Sequence, residues 1–260
     1  MATIMITIRR MSRSKIPDDQ PMSRRTAYRR RAAAGLTRPI FRYPFNEAFF
    51  SEWSADLAWL VGLIWSDGNL TRNTIEICAK ERDFMMMVAD MIGQPNGVRP
   101  KNGGGAWRVV FTSKTVANFL RGVGLTPRKS FTVSWPVMPP EYEAHFIRGL
   151  FDGDGCVTLR MDRQGQQVAD LQWEVVTASV ALRDSLARWM KDRGVHARVS
   201  LSHTTVWRVS VSKQSSLRIL HGLLYPSTLA IPCLLRKRQK FDEWMATPRV
   251  RLGRPRRSAV

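Results

Sequence analysis

Cysteine, histidine and acidic residues are all scarce in this chain. Its 260 residues include three cysteines and four histidines. Cys78, Cys156 and Cys233 are far apart and form no CxxC pair, so neither a thiolate zinc cluster nor a disulfide framework is implied. A reducing, intracellular compartment is the default setting for such a sequence. His145, His196, His203 and His221 show no metal-ligand spacing and read as surface or core residues. There is no Walker loop and no GxGxxG, and the glycines at Asn102–Gly105 read as a hairpin turn. The longest apolar run, Leu57 to Trp65, is too short to cross a bilayer, so no membrane is expected. The opening MATIMITIRR places its charge after the apolar residues, the reverse of a secretory signal. Its Arg-rich, acid-poor start resembles a mitochondrial transit peptide instead, so nucleoid-associated and organellar settings both stand.

Lysine and arginine are abundant: 41 of them stand against 21 acids, a formal charge of +20. A charge of this size points to a polyanionic partner, of which nucleic acid is the commonest. A ribosomal or membrane-surface protein is the other class it allows. Nine tryptophans and a clear core pattern argue against a mere basic tail. The charge gathers at the ends. Residues 1–40 carry ten Lys/Arg against Asp18 and Asp19, and Arg236 to Val260 carry nine against Asp242 and Glu243. Two basic arms suited to a phosphate backbone thus flank a mildly positive middle. Ser23–Pro39, within the first, reads as a phosphate-binding helix or arm, or as a small helix-turn-helix appendage.

The middle is a duplication. AWLVGLIWSDGN (Ala58–Asn69) and HFIRGLFDGDGC (His145–Cys156) share G-L-[IF]-x-x-D-G at an offset of 87 residues. WRV recurs at Trp107 and Trp207, and Arg-Lys pairs recur at Arg128–Lys129 and Arg236–Lys237. Matched features in the same order imply two copies of one fold joined at Pro136–Pro140. The expected organisation is a basic arm over 1–40, one half over 41–135, a second over 136–245 and a basic tail over 246–260.

Periodicity gives each half the order α-β-β-α-β-β-α, an α+β fold. Ser54 caps a helix stopped by Gly68, read as a C′ glycine. Pro140 opens the equivalent helix, which ends at Gly155. Ile231–Met245 reads as a closing helix. The strands have two unlike faces. Val199 and Leu201 alternate with Arg198, Ser200 and Ser202, Val209 and Val211 with Arg208 and Ser210, and Trp173 and Val175 with Gln172 and Glu174. One face is core. The other is an ordinary solvated surface or, given the basic arms, a nucleic-acid surface. Glu76, Lys80, Lys101, Arg108, Arg160, Gln172, Glu174, Arg198, Ser200, Arg208 and Ser210 are the candidate DNA contacts on it.

LVGLIWSDG (Leu60–Gly68) and IRGLFDGDG (Ile147–Gly155) resemble the two motifs of the LAGLIDADG homing endonucleases, and the likeness runs from about Phe45 to Trp244. Two motifs in one chain resemble the family's monomeric, pseudo-twofold branch. The resemblance implies two halves with antiparallel DNA-binding sheets and a helical seam. It implies metal-dependent hydrolysis of double-stranded DNA at a long, pseudo-palindromic site. It also allows a cleavage-inactive protein acting as an intron maturase or a DNA-binding regulator. The metal ligands it implies are Asp67 and Asp154 with the carbonyls of Ser66 and Gly153. Lys129 and Lys237 match the basic residues the family sets near the metals. Trp65 departs from the pattern, standing where the family carries the motif's first acidic residue.

The residues support the same chemistry independently. Gly62 and Gly149 sit mid-helix, where glycine costs up to about 1 kcal/mol against alanine, which suggests close backbone contact. Helices packed so closely place Asp67 and Asp154 side by side at their C-terminal ends. Each carboxylate then faces the negative end of a helix dipole and its like-charged neighbour. A divalent cation offsets both penalties, and hard oxygen ligands favour Mg²⁺, or Mn²⁺ in its place.

Overall fold

In a computed structural model the chain separates into two compact units, Met1–Arg42 and Tyr43–Val260. The described residues are 26, 30, 33, 34, 44–101, 103–126, 129–161, 168–226 and 230–247. Within the basic stretch at Ser23–Pro39, Thr26, Arg30 and Ala33 are helical. The rest of the N-terminal arm, the C-terminal tail from 248 onward and Arg128 lie outside the described residues.

Within the larger unit, a 3-10 turn at Glu47–Phe50 precedes helix α1 (Ala55–Asp67) of the first half. Ser54 caps it, its Oγ accepting the Leu57 amide at 3.1 Å. Strands β1 (Gly68–Thr71) and β2 (Thr74–Ala79), helix α2 (Arg82–Met91), strands β3 (Arg99–Pro100) and β4 (Trp107–Thr112), and helices α3 (Lys114–Gly122) and α4 (Lys129–Thr132) follow. The second half repeats the order: α5 (Glu143–Asp154), β5 (Gly155–Met161), β6 (Val168–Thr177), α6 (Val180–Asp192), β7 (Arg198–His203), β8 (Val206–Val211), α7 (Gln214–Leu224) and α8 (Leu235–Ala246). Each half carries a four-stranded antiparallel sheet, ordered β1-β2-β4-β3 and β5-β6-β8-β7. The fold is α+β with two equivalent halves, as the periodicity requires.

The registers are equivalent too. Gly68, the first residue after α1, lies opposite Ile77, and Gly155, the first after α5, lies opposite Val175. The core faces are built alike: Ile75, Ile77, Val109 and Phe111 are buried under one sheet, and Leu171, Trp173, Val175, Val209 and Val211 under the other.

Three details differ from the sequence reading. Gly68 is not a left-handed C′ glycine. Its φ of −82° and ψ of 155° are extended, because β1 begins there directly. A side chain is excluded for another reason: a Cβ would lie 2.6 Å from the Ile64 carbonyl oxygen. Ile231–Leu234 is non-helical, and the last helix starts at Leu235. Val199 and Leu201 are not core. They are 40% and 54% exposed, because β7 is an edge strand of its sheet and the helices pack chiefly over β5, β6 and β8.

The seam between halves is α1 against α5. A Cβ on Gly62 would fall 2.0 Å from the Phe146 carbonyl oxygen and 2.7 Å from the Leu150 nitrogen. One on Gly149 would fall 1.9 Å from the Trp59 carbonyl oxygen and 2.9 Å from the Leu63 nitrogen. The obstructing atoms are backbone and cannot rotate aside. Gly149→Ala is therefore expected to destabilise the protein by more than ~3 kcal/mol in urea unfolding, the upper end of overpacking costs. Gly222→Ala, inside α7 with open space around it, is expected to stabilise by ~0.5–1 kcal/mol.

Candidate catalytic centre and nucleic-acid face

Asp67 and Asp154 are the last residues of α1 and α5, so the seam that joins the helices also brings their ends together. A Cβ on Gly153 would sit 1.9 Å from Ser66 Oγ and 3.2 Å from Asp67 Oδ2, which shows how tightly the two ends meet. Both carboxylates reach solvent, yet protein crowds them. Burial pushes the Asp154 carboxyl up to about 6, and the neighbouring Asp67 carboxylate adds to the rise. Burial raises Asp67 as well, while Lys237, Lys129 and Lys101 pull it back.

Lys129 and Lys237 occupy equivalent places. Lys129 Nζ donates to the carbonyls of Trp65 and Ser66 at the end of α1. Lys237 Nζ donates to the carbonyls of Phe151 and Asp152, both at 2.7 Å, and of Gly153 at 3.1 Å, at the end of α5. Apart from Phe151, whose carbonyl also accepts the Gly155 amide, these are carbonyls a helix leaves without an intrahelical donor. Lys237 is only 3% exposed, and burial pushes it down to about 8. Burial lowers Lys129 too, while Asp154 and Asp67 oppose the shift. The carbonyls of Ser66 and Gly153, expected at the metal, thus already accept an ammonium; each oxygen keeps a second lone pair.

The seam also holds two pairs that sequence reasoning missed. Trp59 Nε1 donates to Asp152 Oδ2 at 2.8 Å across the halves. The 87-residue offset maps Trp59 onto Phe146 and Asp152 onto Trp65. Those two meet edge-on, with centroids 6.1 Å apart. Trp65 therefore fills the place of an acidic residue by packing, and its indole donates to the Ser134 carbonyl at 2.9 Å. Burial pushes Asp152 up to about 6. Arg148, fully buried on α5, ties its guanidinium to the carbonyls of Pro232 at 2.9 Å and Leu224 at 3.1 Å. Both residues were visible as charges inside an apolar helix, Arg148 and Asp152 in FIRGLFDGD.

The candidate DNA contacts share the outer faces of the sheets. Glu76 and Arg108 lie on the first and pair at 3.6 Å. Lys80 follows β2 and is exposed. Lys101 follows β3 and is close enough to Asp67 to favour its ionised form, so this face adjoins the carboxylates. On the second face Arg160 donates to Gln172, Gln172 Nε2 to Glu174 at 2.7 Å, and Arg208 pairs with Glu174 at 3.2 Å. Arg208 also donates to Ser202 Oγ at 3.1 Å. Arg198 and Ser210 are cross-strand partners there, as are Ser200 and Arg208. Among the described residues no group of three or more His, Cys, Asp or Glu could hold a metal ion, and no helix is long and apolar enough to cross a membrane.

Residues 141–224 match the family model of the LAGLIDADG-like domain. The matched residues lie within the second half. None of the curated proteins compared matches the chain. Among solved structures, the LAGLIDADG meganuclease I-AabMI bound to uncleaved DNA matches with a TM-score of 0.52 at 12% identity, over 74% of this chain and 89% of that one. The meganuclease I-SmaMI bound to uncleaveable DNA matches with a TM-score of 0.51 at 12% identity, over 74% of this chain and 90% of that one. Mesophilic variants of the homing endonuclease I-DmoI match at 0.48 and 17% identity, over 68% and 95%. The chain thus has the fold of the LAGLIDADG meganucleases, with the matched domain as its second half.

The carboxylate of Asp154, at the end of this domain's first helix, has a sign that can be checked. Its folded pKa of about 6 lies above the ordinary value of 3.8. The stability it contributes is complete below 3.8 and lost as pH rises through 6. Asp154→Asn is therefore expected to raise the melting temperature at pH 7.5, with the gain shrinking as pH falls toward 4. Paired thermal melts across that range measure it. A variant less stable than the parent at pH 7.5 would show that the carboxylate is not held under strain.

Proposed function

We propose that the chain is a site-specific double-stranded DNA endonuclease that hydrolyses phosphodiesters with a divalent metal, Mg²⁺ or Mn²⁺. The observation that carries this reading is the meeting of Asp67 and Asp154 at the seam, each helix end held by a lysine, beside two polar sheet faces. The fold shared with DNA-bound meganucleases supports it. So does the charge of +20, which suits a long duplex contact. Two linked halves in one chain supply the pseudo-dyad, so the protein acts as a monomer on a pseudo-palindromic site.

Two carboxylates fit Mg²⁺ or Mn²⁺, ions that keep several waters and take the remaining oxygens from phosphates. Crowded, mutually repelling carboxylates are what such an ion relieves. Asp67 and Asp154 would hold it, and the carbonyls of Ser66 and Gly153 keep a second lone pair for the same purpose. When bound, it polarises a phosphate and lowers the pKa of a bound water. The protein supplies the rest. Lys129 and Lys237 fix the helix ends and set two positive charges beside the position where an attacked phosphate gains negative charge. The pseudo-dyad presents one carboxylate and one lysine to each strand. Retention of both carboxylates and both lysines favours cutting over a maturase or regulator role.

Asp67→Asn and Asp154→Asn are each expected to abolish double-strand cutting while DNA affinity stays within a few-fold. Near-parental cleavage by either purified, folded variant sinks the metal assignment. Lys129→Met and Lys237→Met are expected to slow cleavage more than they weaken binding; equal losses would make them plain phosphate contacts.

Removing residues 1–40 takes away ten basic side chains and a net charge of +8. Site preference is expected to persist while affinity falls and its salt dependence becomes shallower, since fewer counterions are released. Binding to specific and random duplexes over a salt series measures both.

A further inference from the structure

The two sheet faces carry the same charge pair at the same register. Glu76 immediately precedes Ile77, the residue opposite Gly68, and Glu174 immediately precedes Val175, the residue opposite Gly155. Arg108 lies opposite Cys78, two residues beyond Glu76, and Arg208 lies opposite Val176, two beyond Glu174. The ion pairs measure 3.6 Å and 3.2 Å. Each therefore stands at the same number of residue steps from its own helix-end carboxylate, Asp67 or Asp154. The surroundings have diverged: Arg99 lies beside Arg108 where Ser200 lies beside Arg208, and Thr74 stands where the second half has Gln172. The Glu–Arg pair is common to both. Stability gives little reason for it: the paired side chains are 18–37% exposed, and ion pairs that still reach solvent contribute ~0–1 kcal/mol.

We infer that each Glu–Arg pair reads one G·C base pair, at matched positions on either side of the cleavage centre. The inference rests on the endonuclease reading and adds the identity of the base. A guanidinium fork beside a carboxylate presents donor, donor, acceptor. The major-groove edge of G·C presents the complement: the N7 and O6 acceptors of guanine, then the N4 amino donor of cytosine. An A·T pair sets acceptor, donor, acceptor there, so its thymine O4 would face the carboxylate and its adenine amino group the guanidinium. The carboxylate has a second task. It holds the arginine in place before DNA arrives, so less side-chain entropy is lost on contact. In the second half Ser202 braces the same guanidinium at 3.1 Å.

The test is selection of bound duplexes from a randomised library in EDTA, with the full chain, followed by single-pair substitutions in the selected site. G·C is expected at two positions equidistant from the centre. Replacing either by A·T is expected to weaken binding ~5- to 150-fold, the range for one good bidentate contact. Arg208→Lys keeps the charge and loses the fork. It is expected to erase the preference in one half-site and leave the other intact. Arg108→Lys is expected to do the converse. Glu174→Gln and Glu76→Gln are expected to relax discrimination against A·T in the same half-sites. A selected site without G·C at matched positions overturns the inference and leaves the endonuclease reading standing. So does a preference that survives the arginine substitutions. Recovery of no preferred sequence at all overturns both.

Discussion

The meeting of the two helix-end carboxylates hangs on one close contact, the backbone-to-backbone approach of α1 and α5 at Gly62 and Gly149. With any side chain at either position, a Cβ would have to occupy space within 2.0 Å of a carbonyl oxygen on the other helix. The helices would have to separate or slide, and their ends would part with them. Asp67 and Asp154 come together only because the helices meet this closely and end at equivalent points. The glycines give up helix propensity, and the proximity gained cannot be had from larger residues. The tight meeting of Gly153 with Ser66 and Asp67 carries the same constraint to the very end of the seam.

That proximity creates an electrostatic problem that the lysines only half solve. Two carboxylates and two sets of unpaired helix carbonyls face one crevice, all negative or partially so. Lys129 and Lys237 satisfy the carbonyls directly and moderate the carboxylates at a distance. Even so, both aspartates remain harder to ionise than free ones. The site is thus poised to gain from an additional positive charge. The burial that depresses the lysines has the same origin, since the crevice withholds water from either sign.

Much of this was legible in the sequence because it depends on periodicity and repetition. The matched G-L-[IF]-x-x-D-G segments gave the seam, the paired aspartates and the pseudo-dyad, and the Arg-Lys recurrence located the lysines. Strand alternation gave the outer faces on which Glu76, Arg108, Glu174 and Arg208 lie. Features set by tertiary context were not legible. Gly68 looked like a helix terminator, although its backbone is extended and opens the four-residue strand Gly68–Thr71. Val199 and Leu201 followed the core pattern, but alternation cannot tell an outer strand from a covered one. The role of Lys129 and Lys237 as donors to helix carbonyls needed the fold, since some sixty to ninety residues separate the partners along the chain.

The departure at Trp65 makes sense only when both halves are considered together. The duplication would place the same pair twice across the seam, yet one copy is Trp59 with Asp152 and the other is Phe146 with Trp65. The first is a hydrogen bond to a buried carboxylate, and the second is an aromatic edge contact. Two copies of the second half would bury Asp152 twice against phenylalanine and take the indole donor from both carboxylates, a heavy desolvation cost. Two copies of the first half would set Trp59 against Trp65 at both places, where the space is shared by one indole and a smaller partner. Each half therefore prefers the other to itself. Linkage in one chain lets the halves differ at the seam, and the difference there makes the pairing directional. The same freedom extends to the sheet faces, where Arg99 and Ser200 now differ at equivalent positions while the Glu–Arg pairs do not.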